Sequence, residues 1–119
     1  MARVIRTGEA TDLGLPGRKS QEIVSGEAGA KAVTLRLVEI PPERPGDELR
    51  HTHSHRDCEE CIYVLSGRGS FCTEERAWPL EPGDTILVPP GEMHVTRNTG
   101  REPLMLLCFF PVANLMAHG

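Results

Sequence analysis

Apolar residues in this chain come in short runs, each broken after a few positions by proline, glycine or a polar cluster. Ten prolines and twelve glycines punctuate it about every eight to twelve residues, which leaves runs too short for most helices and suited to strands. The pattern predicts strands at 20–25, 32–40, 49–55, 60–65, 70–73, 85–88, 93–98 and 104–110. Between them, the segment from Pro41 to Asp47 closes the second strand and Ser66-Gly67-Arg68-Gly69 makes a hairpin turn. Glu81-Pro82-Gly83-Asp84 and Pro89-Pro90-Gly91 read as β-turns. Short strands in this number imply an all-β sandwich or barrel, and no repeat, heptad or low-complexity segment argues otherwise. The organisation expected is a single domain: an irregular arm over residues 1–19, able to pack on a partner subunit, a barrel over 20–112 and a tail over 113–119.

Successive side chains on a strand point to opposite faces, so parity assigns sides. His53 and His55 share one face of their strand, with Ser54 on the other. Arg56, Asp57 and Cys58 let the chain reverse, after which Glu60 opens the next strand and projects inward with Ile62 and Val64. His94 faces inward with Thr96 and Asn98, while Val95 and Arg97 face away. Leu104 to Phe110 is apolar on both faces, which fits a core strand covered on one side by a second copy of the chain, hence a homodimer.

Composition narrows the partners. At 119 residues the chain has room for one domain with a real core. Its net charge is −4, with thirteen basic residues scattered among seventeen acidic ones and no basic block. That argues against nucleic acid or a membrane surface and leaves small molecules or another protein chain. Met1-Ala2-Arg3-Val4-Ile5-Arg6 lacks the apolar core of a signal peptide, and no stretch reaches transmembrane length, so a cytoplasmic home is expected. The four cysteines are then expected as free thiols.

Two clusters carry chemistry. One is His53-Ser54-His55 followed by Glu60 and Gly67, the pattern H-x-H-x4-E-x6-G; the other is Gly83, Pro89, Gly91, His94 and Asn98, the pattern G-x5-P-x-G-x2-H-x3-N. Five fixed identities at set spacings arise by chance less than about once per million starting points. Together the clusters supply three imidazoles and a carboxylate, a full ligand set for one divalent metal. Both patterns resemble the paired signature motifs of the cupin superfamily, and the short span from Gly67 to Gly83 is similar to its small single-domain members. The resemblance covers residues 46–98; six residues separate Gly46 from the first histidine, where the family usually leaves five.

The resemblance implies a jelly-roll β-barrel, a double-stranded β-helix, with His53, His55, Glu60 and His94 in the positions of the metal ligands. It implies one divalent ion per chain, iron(II) first, with manganese, nickel and zinc compatible with the same donors. Glu59 competes with Glu60, and the count to Gly67 favours Glu60. His51 shares the parity of His53 and His55, so ligation, substrate contact and a solvated position are all open to it. Thr96 and Asn98 could support the ligands, Asn98 also as a turn residue, and Ile62 and Val64 would line the cavity. Arg36, a charge in an apolar strand, reads either as a solvated outer-face residue or as an anchor for an anionic substrate. Cys58 and Cys61 form a C-x-x-C without the second pair a zinc ribbon needs; Cys58 has inward parity and Cys61 outward.

Three imidazoles and a carboxylate leave one or two positions open on an octahedral ion, which suits catalysis better than a closed structural site. The leading expectation is a metal-dependent oxygenase of dioxygenase type acting on a small carbonyl, enol or carboxylate compound. A metal-dependent lyase, decarboxylase or isomerase would use the same ligands without oxygen. A third reading is a non-enzymatic module that binds a metal or a small ligand, since the fold does not fix the function.

Overall fold

The run Leu104–Phe110 forms the strand on which the larger of two antiparallel sheets is built. The computed structural model describes residues 1–48, 50–55 and 58–115. In chain order the strands are β1 (Thr11–Asp12), β2 (Lys19–Val24), β3 (Thr34–Ile40), β4 (Glu60–Ser66), β5 (Gly69–Thr73), β6 (Ala77–Leu80), β7 (Thr85–Val88), β8 (His94–Arg97) and β9 (Leu104–Phe110). One sheet has six strands in the order β1-β2-β3-β9-β4-β7, the other three in the order β6-β5-β8. Short 3-10 turns occupy Thr7–Glu9 and Gly26–Ala28, and the described residues contain no α-helix. Among the described residues no helix is therefore long and apolar enough to cross a membrane.

The core lies between the sheets, where Phe71 of β5 packs in one cluster with Val38, Ile62, Val64, Leu104, Leu106 and Phe110. Alternation along β3, β4 and β9 produces it: on β3 every second residue from Thr34 to Ile40 is buried, and on β9 every second residue from Leu104 to Phe110. Register then sets these side chains in rows. Arg36, Cys108 and Ile62 are cross-strand partners in one row, and Val38, Leu106 and Val64 form the next. The second row is wholly apolar and the first is not, so polarity rises toward one end of the barrel.

Every expected strand but one forms, with ends shifted by a residue or two. The exception is 49–55. Leu49 lies outside the described residues, and the rest of the segment is irregular apart from one bridge, His53 to His94. Two strands went unexpected. β1 pairs with β2, so part of the arm adds to the chain's own sheet. β6 carries Pro79, tolerated because β6 is an edge strand where a missing N–H breaks no second ladder. Of the tail, residues 116–119 lie outside the described residues.

The glycine positions of the two motifs have identifiable work. Gly67 has φ 86°, and a Cβ there would meet the Pro103 carbonyl oxygen at 2.4 Å and Leu104 Cα at 2.8 Å. A side chain would therefore meet backbone that cannot yield, besides the cost of positive φ, on the order of 1–3 kcal/mol. Gly83 donates its N–H to the Val64 carbonyl at 2.9 Å, and Gly91 donates to the His55 carbonyl at 2.9 Å. Asn98 is fully buried and works as a lock between strands: Nδ2 donates to the carbonyls of Ile40 at 2.8 Å and Glu102 at 2.7 Å, while Oδ1 accepts from Gly100 N–H at 2.9 Å.

Candidate metal centre and its cavity

Backbone pairing brings the two histidine clusters together. His53 N–H donates to the His94 carbonyl at 2.8 Å, and His94 N–H donates to the His53 carbonyl at 2.7 Å. Gly91 binds the His55 carbonyl as described, so the second cluster holds both histidines of the first. The ring nitrogens of His53, His55 and His94 come within 4.8 Å of one another and could hold a metal ion. Glu60, at the start of β4, places Oε1 3.2 Å from His55 Nε2 and 3.3 Å from His94 Nε2.

These groups are buried: His94 is 1% exposed, Glu60 5% and His55 8%. Close as these contacts are, Glu60 Oε1 and His94 Nε2 have no hydrogen-bond partner. Buried polar atoms left this way cost about 1–3 kcal/mol each unless something else satisfies them. A cation would do so. Separations of 3.2 and 3.3 Å match the roughly 3.0–3.4 Å between neighbouring donors on arms of about 2.1 Å. His94 Nδ1 lies 2.9 Å from the Glu92 carbonyl. Because a carbonyl can only accept, Nδ1 carries the proton and Nε2 presents its lone pair inward. The donor set therefore fits a divalent metal.

The electrostatics agree with that fit. Burial, with the neighbouring His94 and His55, holds His53 down at about 3, so its ring is neutral at ordinary pH. Burial pushes the Glu60 carboxyl up, but the adjoining His55 and His94 more than offset it and hold it at about 2, so it is ionised. Neutral imidazoles and an ionised carboxylate are the forms that ligate. Burial drives the Cys108 thiol well above its usual range, and the Glu60 carboxylate adds to the effect, so Cys108 stays a neutral S–H.

Around the histidines lies a small cavity of about 40 Å³. Val38, Ile62, Leu106 and Phe110 are among its apolar walls. Phe110 meets His55 edge-on with centroids 5.0 Å apart, and Phe71 stacks on His94 at 5.7 Å. These rings fix the imidazoles and keep water from their backs.

The structure brings some expected residues to the cavity and leaves others away. Ile62 and Thr96 line it, whereas Val64 is fully buried in the apolar row beyond, and Asn98 is the strand lock described above. His51 is not at the cavity: its side chain is 89% exposed and sits 3.9 Å from Glu48. Strand parity failed there because the segment is not a strand. Arg36 is not a solvated outer residue; it is buried on the inner face of β3, paired with Glu22 at 3.1 Å, and it lines the cavity. Cys58 is buried in the core and Cys61 exposed, and all four cysteines are free thiols. Arg56 and Asp57 lie outside the described residues. Arg18 and Arg50 also line the cavity and were not anticipated, because both sit in irregular segments where no periodicity assigns a side.

The fold is a small β-barrel with a histidine cluster that could hold a metal ion, and comparison with known proteins gives its family. The chain matches the cupin domain family over residues 36–110, more than half its length. It belongs to that family. Over 66 residues it is 39% identical to a glucose-6-phosphate isomerase of Thermococcus gammatolerans, a match covering 51% of this chain and 35% of the relative. The chain spans less than half the length of the curated relatives it matches. A Thermotoga maritima protein described as a predicted oxalate decarboxylase superposes with a TM-score of 0.75 at 25% identity, covering 92% of this chain and 99% of that one. Oxalate decarboxylase of Bacillus subtilis, described with Mn(II) centres, gives 0.76 at 25% identity over 93% of this chain and 30% of its own.

Both lowered groups favour the folded state only where they are deprotonated. The contribution of His53 is complete above its ordinary value of 6.5 and is lost as pH falls toward about 3; that of Glu60 is complete above 4.5 and lost toward about 2. Metal-free protein should therefore show a thermal midpoint that falls steadily from about pH 7 to about pH 4. A His53→Gln variant should show a shallower fall over that interval, and a midpoint of wild type that does not move with pH would contradict the assignment.

Proposed function

We propose that this chain is a divalent-metal-dependent enzyme that acts on a small carbonyl, enol or carboxylate compound, with His53, His55, Glu60 and His94 as the metal ligands. The observation that carries this reading is the buried set of donors, two of whose atoms lack any hydrogen-bond partner, opening on a cavity instead of being closed by further protein ligands. When bound, the metal would supply Lewis acidity to a carbonyl or carboxylate oxygen. The protein's own groups do the rest. The Glu92 carbonyl keeps the His94 lone pair pointed inward, and Phe71 and Phe110 hold two of the rings in place. The apolar walls exclude competing water.

An oxygen-independent reaction, decarboxylation or isomerisation, is supported by the activities named for the relatives, oxalate decarboxylase and glucose-6-phosphate isomerase. The dioxygenase reading, which favours iron(II), is supported by the apolar walls at Val38, Ile62, Leu106 and Phe110, which suit a small nonpolar co-substrate. Turnover of a panel of keto acids, dicarboxylates and diketones, by manganese- and iron-loaded protein with and without oxygen, separates them. Product formation without oxygen is expected, with activity at least about a hundredfold lower in His94→Ala. Equal activity of wild type and His94→Ala would sink the enzyme reading, and strict oxygen dependence would select the dioxygenase.

A homodimer is part of the same proposal. The outer face of the large sheet carries Leu87 at 63% exposure, Tyr63 at 44%, Leu65 at 42% and Phe109 at 39%. Register sets Leu87 and Phe109 on either side of Cys61, so the apolar side chains are contiguous. A second copy would cover that face. Sedimentation should give twice the chain mass, and Leu87→Glu should shift it toward monomer; a monomeric wild type at micromolar concentration would refute the dimer.

A further inference from the structure

The cavity holds a second group of charges that ligation does not use. Arg18 lies just ahead of β2, Arg36 in β3, and Arg50 three residues before His53, and all line the cavity. Among the described residues, Glu60 is the only carboxylate that lines it, and Glu60 is engaged by His55 and His94. Arg36 is buried, whereas Arg18 and Arg50 are half-buried where they reach the cavity.

The three arginines are held in different ways. Arg36, with a side chain 10% exposed, donates from Nε and Nη2 to Glu22 Oε1 at 3.2 and 3.1 Å, and its guanidinium lies 5.6 Å from the Phe110 ring centroid. Arg50 donates from Nη1 to the Thr96 carbonyl at 2.9 Å. That acceptor is neutral, so the bond aims the guanidinium without cancelling its charge. Because Thr96 follows His94 by two residues, Arg50 ties one histidine segment to the other. Arg18 donates from Nη1 to the Pro16 carbonyl at 3.0 Å and adds its charge from the β2 side. Burial and the charge of Arg18 hold Arg50 down at about 10, and burial and the charge of Arg36 lower Arg18, so the groups repel one another through the cavity.

We propose that Arg50, with Arg36 and Arg18, forms an anion subsite in the cavity that holds the histidine cluster, and that its ligand is a short organic carboxylate with a second oxygen donor. Keto acids, hydroxy acids and dicarboxylates of a few carbons have that form. Planar guanidinium groups match a carboxylate bidentately. The second oxygen would meet the metal, so the identity of the ligand rests on the function proposed above, while the subsite itself does not. The space inside the cavity is small, about 40 Å³, a few times what one water needs, which suits a ligand of only a few heavy atoms. Its aliphatic walls offer few partners for a polyhydroxylated chain.

Calorimetric titration of zinc-loaded protein with oxalate, pyruvate, neutral oxamide and inorganic phosphate tests this, with zinc content measured for every variant. Oxalate or pyruvate should bind, and oxamide at least about tenfold more weakly. Arg50→Gln should weaken the carboxylates by about tenfold or more at unchanged zinc content, and Arg50→Lys should recover part of the loss. If Arg50→Gln does not fold by circular dichroism, Arg18→Gln serves instead, with a several-fold loss expected. Equal affinity in wild type and the folded variant, or oxamide binding as tightly as oxalate, overturns the subsite. Phosphate binding more tightly than either carboxylate overturns the ligand assignment. Zinc uptake with no anion binding overturns the subsite and leaves the metal centre standing; Arg50-dependent anion binding by protein that takes up no zinc supports the subsite and overturns the metal centre.

Discussion

A single buried carboxylate organises this molecule. Glu60 is 5% exposed, with imidazole nitrogens at 3.2 and 3.3 Å and no hydrogen bond to its inner oxygen. An ionised carboxylate in an apolar barrel is costly unless positive charge meets it. Much of the surrounding backbone exists to hold the donors in that arrangement. Reciprocal bonds between His53 and His94 join the two motifs, Gly91 fastens His55, and Gly83 fastens the strand that carries Glu60. None of those bonds involves a side-chain donor atom of the site, so the frame leaves those atoms free to face the cavity.

Chemistry and stability are separated along the barrel. The row Arg36, Cys108 and Ile62 lines the cavity, and of the next row Val38 and Leu106 also line it while Val64 lies in the core alone. Asn98 and the close approach of Gly67 to Pro103 tie the strands beyond that row. Val64 and Asn98 therefore support the site only through the fold, whereas Ile62 and Thr96 border its contents.

Most of this was legible from residue order. Motif spacing identified the four candidate ligands, and burial with period two on β3, β4 and β9 follows the alternation of the sequence. What was not legible depends on irregular backbone or distant partners. His51 was assigned a side by parity, but parity holds only in a strand, and the chain there makes a single bridge. For Arg36 the sequence leaves a solvated position and an anion anchor both open, and only the fold, in which Glu22 fourteen positions away accepts from it, places it on the inner face. Arg18 and Arg50 lie in segments with no period at all, so only the folded chain reveals that they share a cavity with the histidines. Pro79 concealed β6, because an edge strand can be told from a break only when its neighbours are known.

The central claim is that the buried donors form a metal site. Titration of chelator-treated protein with a divalent metal, followed by calorimetry, tests it directly. The structure predicts one ion per chain and binding weakened at least about tenfold by Glu60→Gln. Failure of wild type to bind manganese, iron, nickel or zinc, or equal binding by wild type and a folded Glu60→Gln variant, would contradict it.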